Sequence, residues 1–541
     1  MKNKVIGLLI VLIFTLSIAG CKDKNNNNNN ENGNNQPVET AMDKINKAIE
    51  GITLPSEVEE NITLPVQVGD VTIEWESSKT SVLSNDGKVR QTENNQEVRL
   101  KAYFKCENEQ VIKTYNITVK KIADSILIQR VYDSLYLESS TDIDLILETM
   151  FEYGVIGTWY SSNEEIITTD GKFKAGSEDE IVTLTVILTL GEESMEKSFE
   201  IETKGIGEVE EGKLGHLVLD YAESFNPNNF NNVLLDNGLL VLADGQTAGS
   251  YESDVIETLK WTSMVGSWAA ISSTTATVEF QVRARVNGTW SSYMSYGVWG
   301  LGLQNACYDQ SAGVAKLSTD EVMILNSKTA DAVQYKLTLK RTDANGDSPK
   351  VSLVACALEI PGYSYLVDVS DVKQNVNYDV PKLYQGAVPS IGNSICSATS
   401  TCMLLKYKGE DFSQFDSEFE HRYMASIVRD YGNKIYGNWV YNTVTMGGYG
   451  YNAYVMRMYS LEELVRHLND VGPVSLSMKG QMTSDNKNYY TNGHLIVITG
   501  YYYDNGQLYF YSNDPNVPEV ACVYTSTVIK NTWRNIAYII E

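Results

Sequence analysis

Histidine is the scarcest chemistry-bearing residue in this chain, with four in 541 residues, and the seven cysteines and eleven prolines are nearly as sparse. Each shortage excludes something. No two histidines are closely spaced and no Cys-x-x-Cys occurs, so no metal-ligand spacing is present and no cofactor is expected. Glycine-rich phosphate loops are also absent. Seven cysteines do not make a disulfide framework. Cys307 and Cys356 could pair, which depends on a Cα separation that sequence cannot supply. Positive charge is short as well. With 43 Lys and Arg against 69 Asp and Glu, the formal charge is −26, and such a chain would be repelled by nucleic acid.

The first twenty residues read as a signal peptide. Met1-Lys-Asn-Lys4 is basic, Val5 to Leu16 is apolar but too short to span a bilayer, and Ile18-Ala-Gly-Cys21 ends in small residues and a cysteine. This end resembles a bacterial lipobox, which implies lipidation of Cys21 and a membrane-anchored lipoprotein on the extracytoplasmic side. Residues 21–38 follow as an Asn-rich tether with almost nothing apolar to bury.

A repeat comes next. The run from Trp75 to Val89 aligns without gaps on the run from Trp159 to Phe173, an offset of 84 residues. Downstream, Val98, Leu100 and Ala102 fall on Val182, Leu184 and Val186. One Trp, an Asp-Gly turn and alternating strands per copy predict a small β-sandwich used twice, over 39–122 and 123–205. These copies resemble atypical bacterial immunoglobulin-like domains, which act as spacers or wall-binding stalks. Cys106 is the only cysteine in either, so packing alone must hold them.

Residues 213–375 differ in character. Thr277 to Val286 and Val333 to Lys340 alternate polar and apolar without a break, each a half-buried strand, and predict an antiparallel sandwich of jelly-roll type. The aromatic stretches Trp261 to Trp268 and Trp290 to Trp299 suit either core packing or a sugar-stacking face.

The last 160 or so residues hold three side chains in settings that suit joint action. Cys396 opens an apolar stretch that can form a helix through Leu405, and a helix N-terminus favours a thiolate. His494 opens a run of β-formers, and Asp514 closes the next one. A base beside a thiol activates it, and a carboxylate behind the imidazole fixes its tautomer. Tyr503-Asp-Asn-Gly506 joins the two runs into a hairpin. A strict two-residue turn pairs Asp504 with Gln507 and puts His494 and Asp514 on opposite faces by the period-two rule. A longer loop or a bulge is therefore demanded; failing both, Asn513 would be the orienting residue.

From about Asp379 to Glu541 the chain resembles the bacteriocin-leader (double-glycine, C-39-like) peptidases and their secreted relatives, which are papain-like. The matching runs are Val380 to Gln385, Cys396 to Ser400, Gly437 to Thr443, Gly472 to Ser475, Gly493 to Leu495 and Asn513 to Pro515. The resemblance implies Cys396 as nucleophile, His494 as general base, Asp514 as orienting residue and Gln385 as oxyanion donor. Ile395 and Ala398 depart from the family's residues around the cysteine, and Gln385 lies eleven positions before Cys396.

Other residues read as structural. Cys402 is a core thiol, His467 a surface residue of a helix opened by a Ser460/Glu463 capping box, and His216 and His421 have no partner pattern. The expected architecture is two Ig-like sandwiches and one jelly-roll-like sandwich, followed by an α+β papain-like domain over 379–541. The expected function is that of a lipid-anchored cysteine peptidase at the bacterial surface, acting on peptides or proteins, cell-wall peptides included. A non-catalytic adhesin built on a degenerate peptidase fold and a cell-wall transpeptidase or amidase stand as alternatives.

Overall fold

The computed structural model describes residues 39–208 and 214–541. Cys21 and the tether lie outside the described residues. The chain divides into two compact units, residues 1–126 and 127–541.

In the first unit, helix Ala41–Gly51 is opened by a reciprocal cap: Thr40 Oγ1 accepts from Asp43 N–H at 3.2 Å, and the Asp43 carboxylate accepts from Thr40 N–H at 3.1 Å. The helix buries Ile45 and Ala48 beside a five-stranded sheet ordered Glu57–Val58, Glu109–Val119, Gln96–Cys106, Val71–Ser77, Gln67–Val68. Val71–Ser77 alternates buried and exposed residues along its whole length, as a strand with one covered face must.

The second copy has the same plan, a four-stranded sheet of Ser140–Thr141, Glu193–Thr203, Glu180–Leu190 and Ile156–Ser161. Trp75 and Trp159 do the same work in both, each indole N–H donating at 2.8 Å to a loop carbonyl, of Pro65 and of Glu148. Gly87 and Gly171 share φ +84°, and a Cβ on either would lie 2.0 or 2.2 Å from the carbonyl oxygen of Ile62 or Leu145. No other residue type fits that conformation and that approach.

The two-sheet sandwich expected of each copy is corrected to one sheet packed against a helix and irregular chain. The facing segments bond within themselves: Gly87 N–H donates to Ser84 O and Ser84 N–H to Lys88 O, leaving only the isolated bridges Leu83 to Val89 and Ile167 to Phe173. The Asp-Gly turn at Asp86-Gly87 and at Asp170-Gly171 bends the chain back in both copies, and Pro55 and Pro65 interrupt it further in the first.

The middle of the second unit holds two antiparallel sheets. One is centred on Ser263–Ile271 and Lys350–Glu359, the other on Ala276–Val286 and Ala330–Arg341. They meet through side chains such as Trp268 and Phe280, whose ring centroids are 5.2 Å apart. Trp261, Trp268 and Trp299 are fully buried, so the sugar-stacking reading of these stretches is withdrawn for them. Cys307 and Cys356 are both free and buried rather than bridged.

The C-terminal segment adds a seven-stranded sheet. Its order is Ala453–Arg457, Trp533–Ile540, Val474–Thr483, Asn488–Asp504, Gln507–Asn513, Ala521–Thr525, with Asn375–Asn377 also on Asn488–Asp504. Helices Cys396–Tyr407 and Trp439–Gly448 are buried along nearly every residue. Such all-round burial is possible because their small polar side chains bond internally, Thr399 Oγ1 donating to Ile395 O, Thr445 Oγ1 to Tyr441 O and Thr401 Oγ1 to Asn442 Oδ1. One hydrophobic core runs from the sandwich into this segment, containing Val265, Trp268 and Phe280 together with Leu404, Val444 and Val497. Contact is close: a Cβ on Gly447 would lie 2.7 Å from Ala269 Cα.

Candidate active site

Cys396 is the first residue of its helix, which begins without a side-chain cap, so the unpaired N–H groups of the first turn are left facing the thiol end. Burial opposes ionisation here. It is outweighed by the hydrogen bond and positive charge of His494 and by the N–H groups of Leu495 and Ser397, and the thiol is held below its ordinary pKa. Every other thiol with a resolved shift is raised, Cys307, Cys356, Cys402 and Cys522 all by burial first.

His494 lies on strand Asn488–Asp504, and its Nε2 is 2.7 Å from Asp514 Oδ1. Nδ1 is the ring nitrogen left for Cys396. Burial disfavours the imidazolium, but the charge and hydrogen bond of Asp514, then those of Cys396, raise His494 to about 10. Asp514 shows the converse: burial disfavours its charge, yet His494 and two tyrosines bring it down to about 2. All four acceptor positions of this carboxylate are used. Oδ1 also accepts from Asn516 N–H at 2.9 Å, and Oδ2 accepts from the hydroxyls of Tyr489 and Tyr524, both at 2.6 Å. A buried carboxylate so satisfied stays ionised and rigid.

The dyad exists because of a bulge. The turn is the regular two-residue one, with Asp504 opposite Gln507 and Asn505 at φ +49°. That register holds to Gly500 opposite Tyr511, then slips, so that Ile498 faces Ser512 and Val497 faces Asn513. Thr499 is the extra residue, and it returns Asp514 to the face of His494. Gly500 beside it is required by close approach, since a Cβ there would lie 1.9 Å from Val376 O. Asn513 points away, its Nδ2 donating to Val380 O at 2.9 Å.

Gln385 sits in a short 3-10 turn near this cluster, its N–H donating to Pro515 O at 3.0 Å. The residue is buried, and its side-chain Oε1 has no partner among the described residues. It does not line the cleft in front of Cys396. That cleft, of about 620 Å³, is bounded by Cys396, His494, Ser477 and Trp439 and, across from them, by Asp320 and its neighbours on the sandwich. Asp320 Oδ2 accepts from Trp439 N–H at 2.5 Å, at the start of helix Trp439–Gly448, and burial raises it to about 7.

The remaining histidines are more buried than their sequence settings suggest. His467 is corrected from a surface residue: it is half-buried and desolvation lowers it to about 4. Ser460 does accept from Glu463 N–H at 3.1 Å, but the Glu463 carboxylate turns to Tyr459 N–H and to His216 instead of closing a capping box. His216 is fully buried among Tyr363, Tyr365 and Tyr459, and His421 Nε2 lies 3.2 Å from Tyr384 O. Cys402 is a core thiol.

Residues 368–540 match the Peptidase_C39 like family. This peptidase-like segment is preceded by a match to the Peptidase C39 N-terminal domain over 243–358 and by two matches to the atrophied bacterial Ig domain, over 38–122 and 129–205. The chain thus carries a cysteine peptidase-like domain behind Ig-like modules. Among solved structures it is similar to digestive procathepsin L 3 of Tenebrio molitor larval midgut, at 12% identity over 33% of this chain and 73% of that one, TM-score 0.22. It is also similar to a structure from work on the mite allergens Blo t 1 and Der p 1, at 12% identity over 34% and 73%, TM-score 0.20. No curated protein matches the chain.

Proposed function

We propose that this protein is a cysteine peptidase that hydrolyses peptide or amide bonds through Cys396, His494 and Asp514. The observation that carries the reading is the pairing of a thiol held below its ordinary pKa with an imidazole raised above its own, the latter locked at 2.7 Å to a saturated carboxylate. That arrangement favours the thiolate and imidazolium together. The thiolate attacks the carbonyl carbon, and the carbonyl electrons move onto oxygen. His494 then gives its proton to the leaving amine as the C–N bond breaks, leaving a thioester on Cys396. Water, deprotonated by the now neutral His494, attacks the thioester and releases the acid, and the proton returns the pair to its starting state. The oxyanion is met by the Cys396 N–H, with the side-chain NH₂ of Gln385 as second donor.

Cys21 is read as the lipidated first residue of the mature protein, holding the chain at the outer face of a bacterial membrane on its tether, with peptides or proteins of that surface as substrates. The test is a thiol-directed peptidase probe applied to the full chain and to Cys396→Ala. Labelling confined to the unmodified chain, with hydrolysis of a casein substrate, supports the reading. Labelling without hydrolysis but with amine-dependent joining of peptides would turn it to transpeptidation, and neither would leave a binding domain.

A further inference from the structure

Four charged residues besides His494 line the cleft: Asp320, Glu321, Lys434 and Arg534. The two acids are already engaged. Asp320 accepts from Trp439 N–H, and Glu321 Oε1 accepts from the Ser263 hydroxyl and pairs with Arg457. The two cations are in no ion pair among the described residues. Asp320, whose partner is a neutral N–H, is raised to about 7 by burial and feels the charge of Arg534, so it offsets at most one of the two cations. The cleft of this chain of formal charge −26 therefore keeps an excess of positive charge.

Both cations are exposed to solvent, yet each is held, Lys434 through its backbone and Arg534 through its guanidinium. Lys434 sits at φ +59°, a left-handed conformation unfavourable to lysine, in a turn closed by Asp430 N–H to Ile435 O and Ile435 N–H to Asp430 O. The fully buried Asp430 carboxylate fixes that turn by accepting from Gly432 N–H, Asn433 N–H and Nδ2, and Asn438 Nδ2. Arg534 lies over the Trp439 ring with its guanidinium carbon 4.8 Å from the centroid, which holds the plane while leaving N–H groups at its edge.

Resting on the peptidase reading, we propose that Lys434 and Arg534 form a carboxylate-binding subsite beside Cys396, so that the enzyme selects peptides bearing a carboxylate near the cleaved bond. An aspartate or glutamate side chain and a C-terminal α-carboxylate offer the same group. An arginine fork and a nearby ammonium suit it better than any neutral side chain.

The experiment gives the full chain a proteome-derived peptide mixture in two forms, untreated and with all carboxylates converted to methylamides, and reads cuts by mass spectrometry. The expected result is roughly tenfold less cleavage of the amidated form, as befits loss of a charge-assisted pair. Acidic residues at a fixed position from the cut would identify the side chain as the source, and cuts at a fixed distance from the C-terminus the α-carboxylate. Lys434→Met with Arg534→Met should cleave both forms equally while Cys396 still reacts with iodoacetamide at the unmodified rate. Equal cleavage of both forms by the unmodified chain, or an undiminished preference in the double variant, would overturn the subsite. Absence of any cleavage would end the peptidase reading and the subsite with it, whereas cleavage without the preference would overturn the subsite alone.

Discussion

His494 and Asp514 meet at 2.7 Å across a hairpin whose turn, continued without interruption, would set them on opposite faces of its sheet. The residue that resolves the conflict is Thr499, bulged out of the ladder four positions from the turn-side pair Tyr503 and Leu508. Deleting Thr499 should restore the regular register, carry Asp514 away from His494 and abolish hydrolysis. It also exchanges the two faces of a strand buried on both sides, so loss of folding is part of the expected outcome. Thr499→Ala separates the effects. It keeps the bulge, loses only the hydrogen bond to Asn377 Oδ1, and should cost about 1 kcal/mol in urea unfolding with activity nearly unchanged.

The nucleophile should stand apart from the other thiols. At pH 6 an ordinary thiol is roughly 0.3% ionised, whereas Cys396 is held below its ordinary value by His494. Iodoacetamide at that pH should modify Cys396 first, and His494→Ala should bring its rate down to that of an unassisted thiol. Peptide mapping after timed quenching reads both.

Asp514 is expected to act through charge as well as position. Asp514→Asn keeps the shape but removes the carboxylate, and kcat should fall by roughly 10²- to 10⁴-fold. Tyr489→Phe deletes one of the two hydroxyls on Oδ2, a bond to a charged acceptor worth about 1.5–3 kcal/mol. It should move the acid limb of the kcat/KM profile upward while leaving the alkaline limb in place, a signature that plain loosening of the fold would not give.

Stability should follow the dyad's protonation. Asp514 is depressed to about 2, so its contribution is present above the ordinary carboxylate range and is lost as pH falls toward 2. His494 is raised to about 10, so its contribution is complete below the ordinary histidine value and is lost as pH rises through about 10. The difference in unfolding free energy between the unmodified chain and Asp514→Asn should therefore be largest between about pH 4 and 6.5, on the order of 3–5 kcal/mol, and shrink toward pH 10. Urea midpoints across that range test it.

Much of the site could be read from residue order because its chemistry is local. Cys396 at a helix start, His494 at the head of a β run and Asp514 at the end of the next are each marked by near neighbours. The need for a bulge is legible from the turn register, but its position at Thr499 is not, since the contact that marks the place, Val376 O against Gly500, comes from more than a hundred residues away in sequence. Tyr489 and Tyr524 escaped for the same reason, being brought to Asp514 by strand pairing alone. The Ig-like copies show the reverse failure: alternation and turn residues mark the strands of one sheet correctly, but the second sheet they suggest is replaced by chain that makes single bonds to the first, such as Trp75 Nε1 to Pro65 O, and forms only isolated bridges. His467 was placed on a surface by its helix, although desolvation there comes from neighbours that the helix pattern does not reveal.

The sandwich and the peptidase-like segment should unfold as one body, and Asp430 is the residue that makes this testable. Its carboxylate belongs to the C-terminal segment, yet it accepts from Cys307 N–H on the sandwich at 3.0 Å, while Asn433 Nδ2 donates to Cys307 O at 3.1 Å. Asp320 returns the connection by accepting from Trp439 N–H. Gly432 lets the two backbones approach, since a Cβ there would lie 1.9 Å from Cys307 O. Asp430→Ala strands five buried or half-buried donors, two of them on Asn433, at a cost on the order of 3–5 kcal/mol. Because the core is continuous through this contact, calorimetry of residues 127–541 should show one transition for the sandwich and peptidase-like segment together, displaced downward as a whole by Asp430→Ala. Separate transitions, with only the later segment destabilised, would mean that the sandwich is merely attached and that its wall of the cleft is not fixed relative to Cys396.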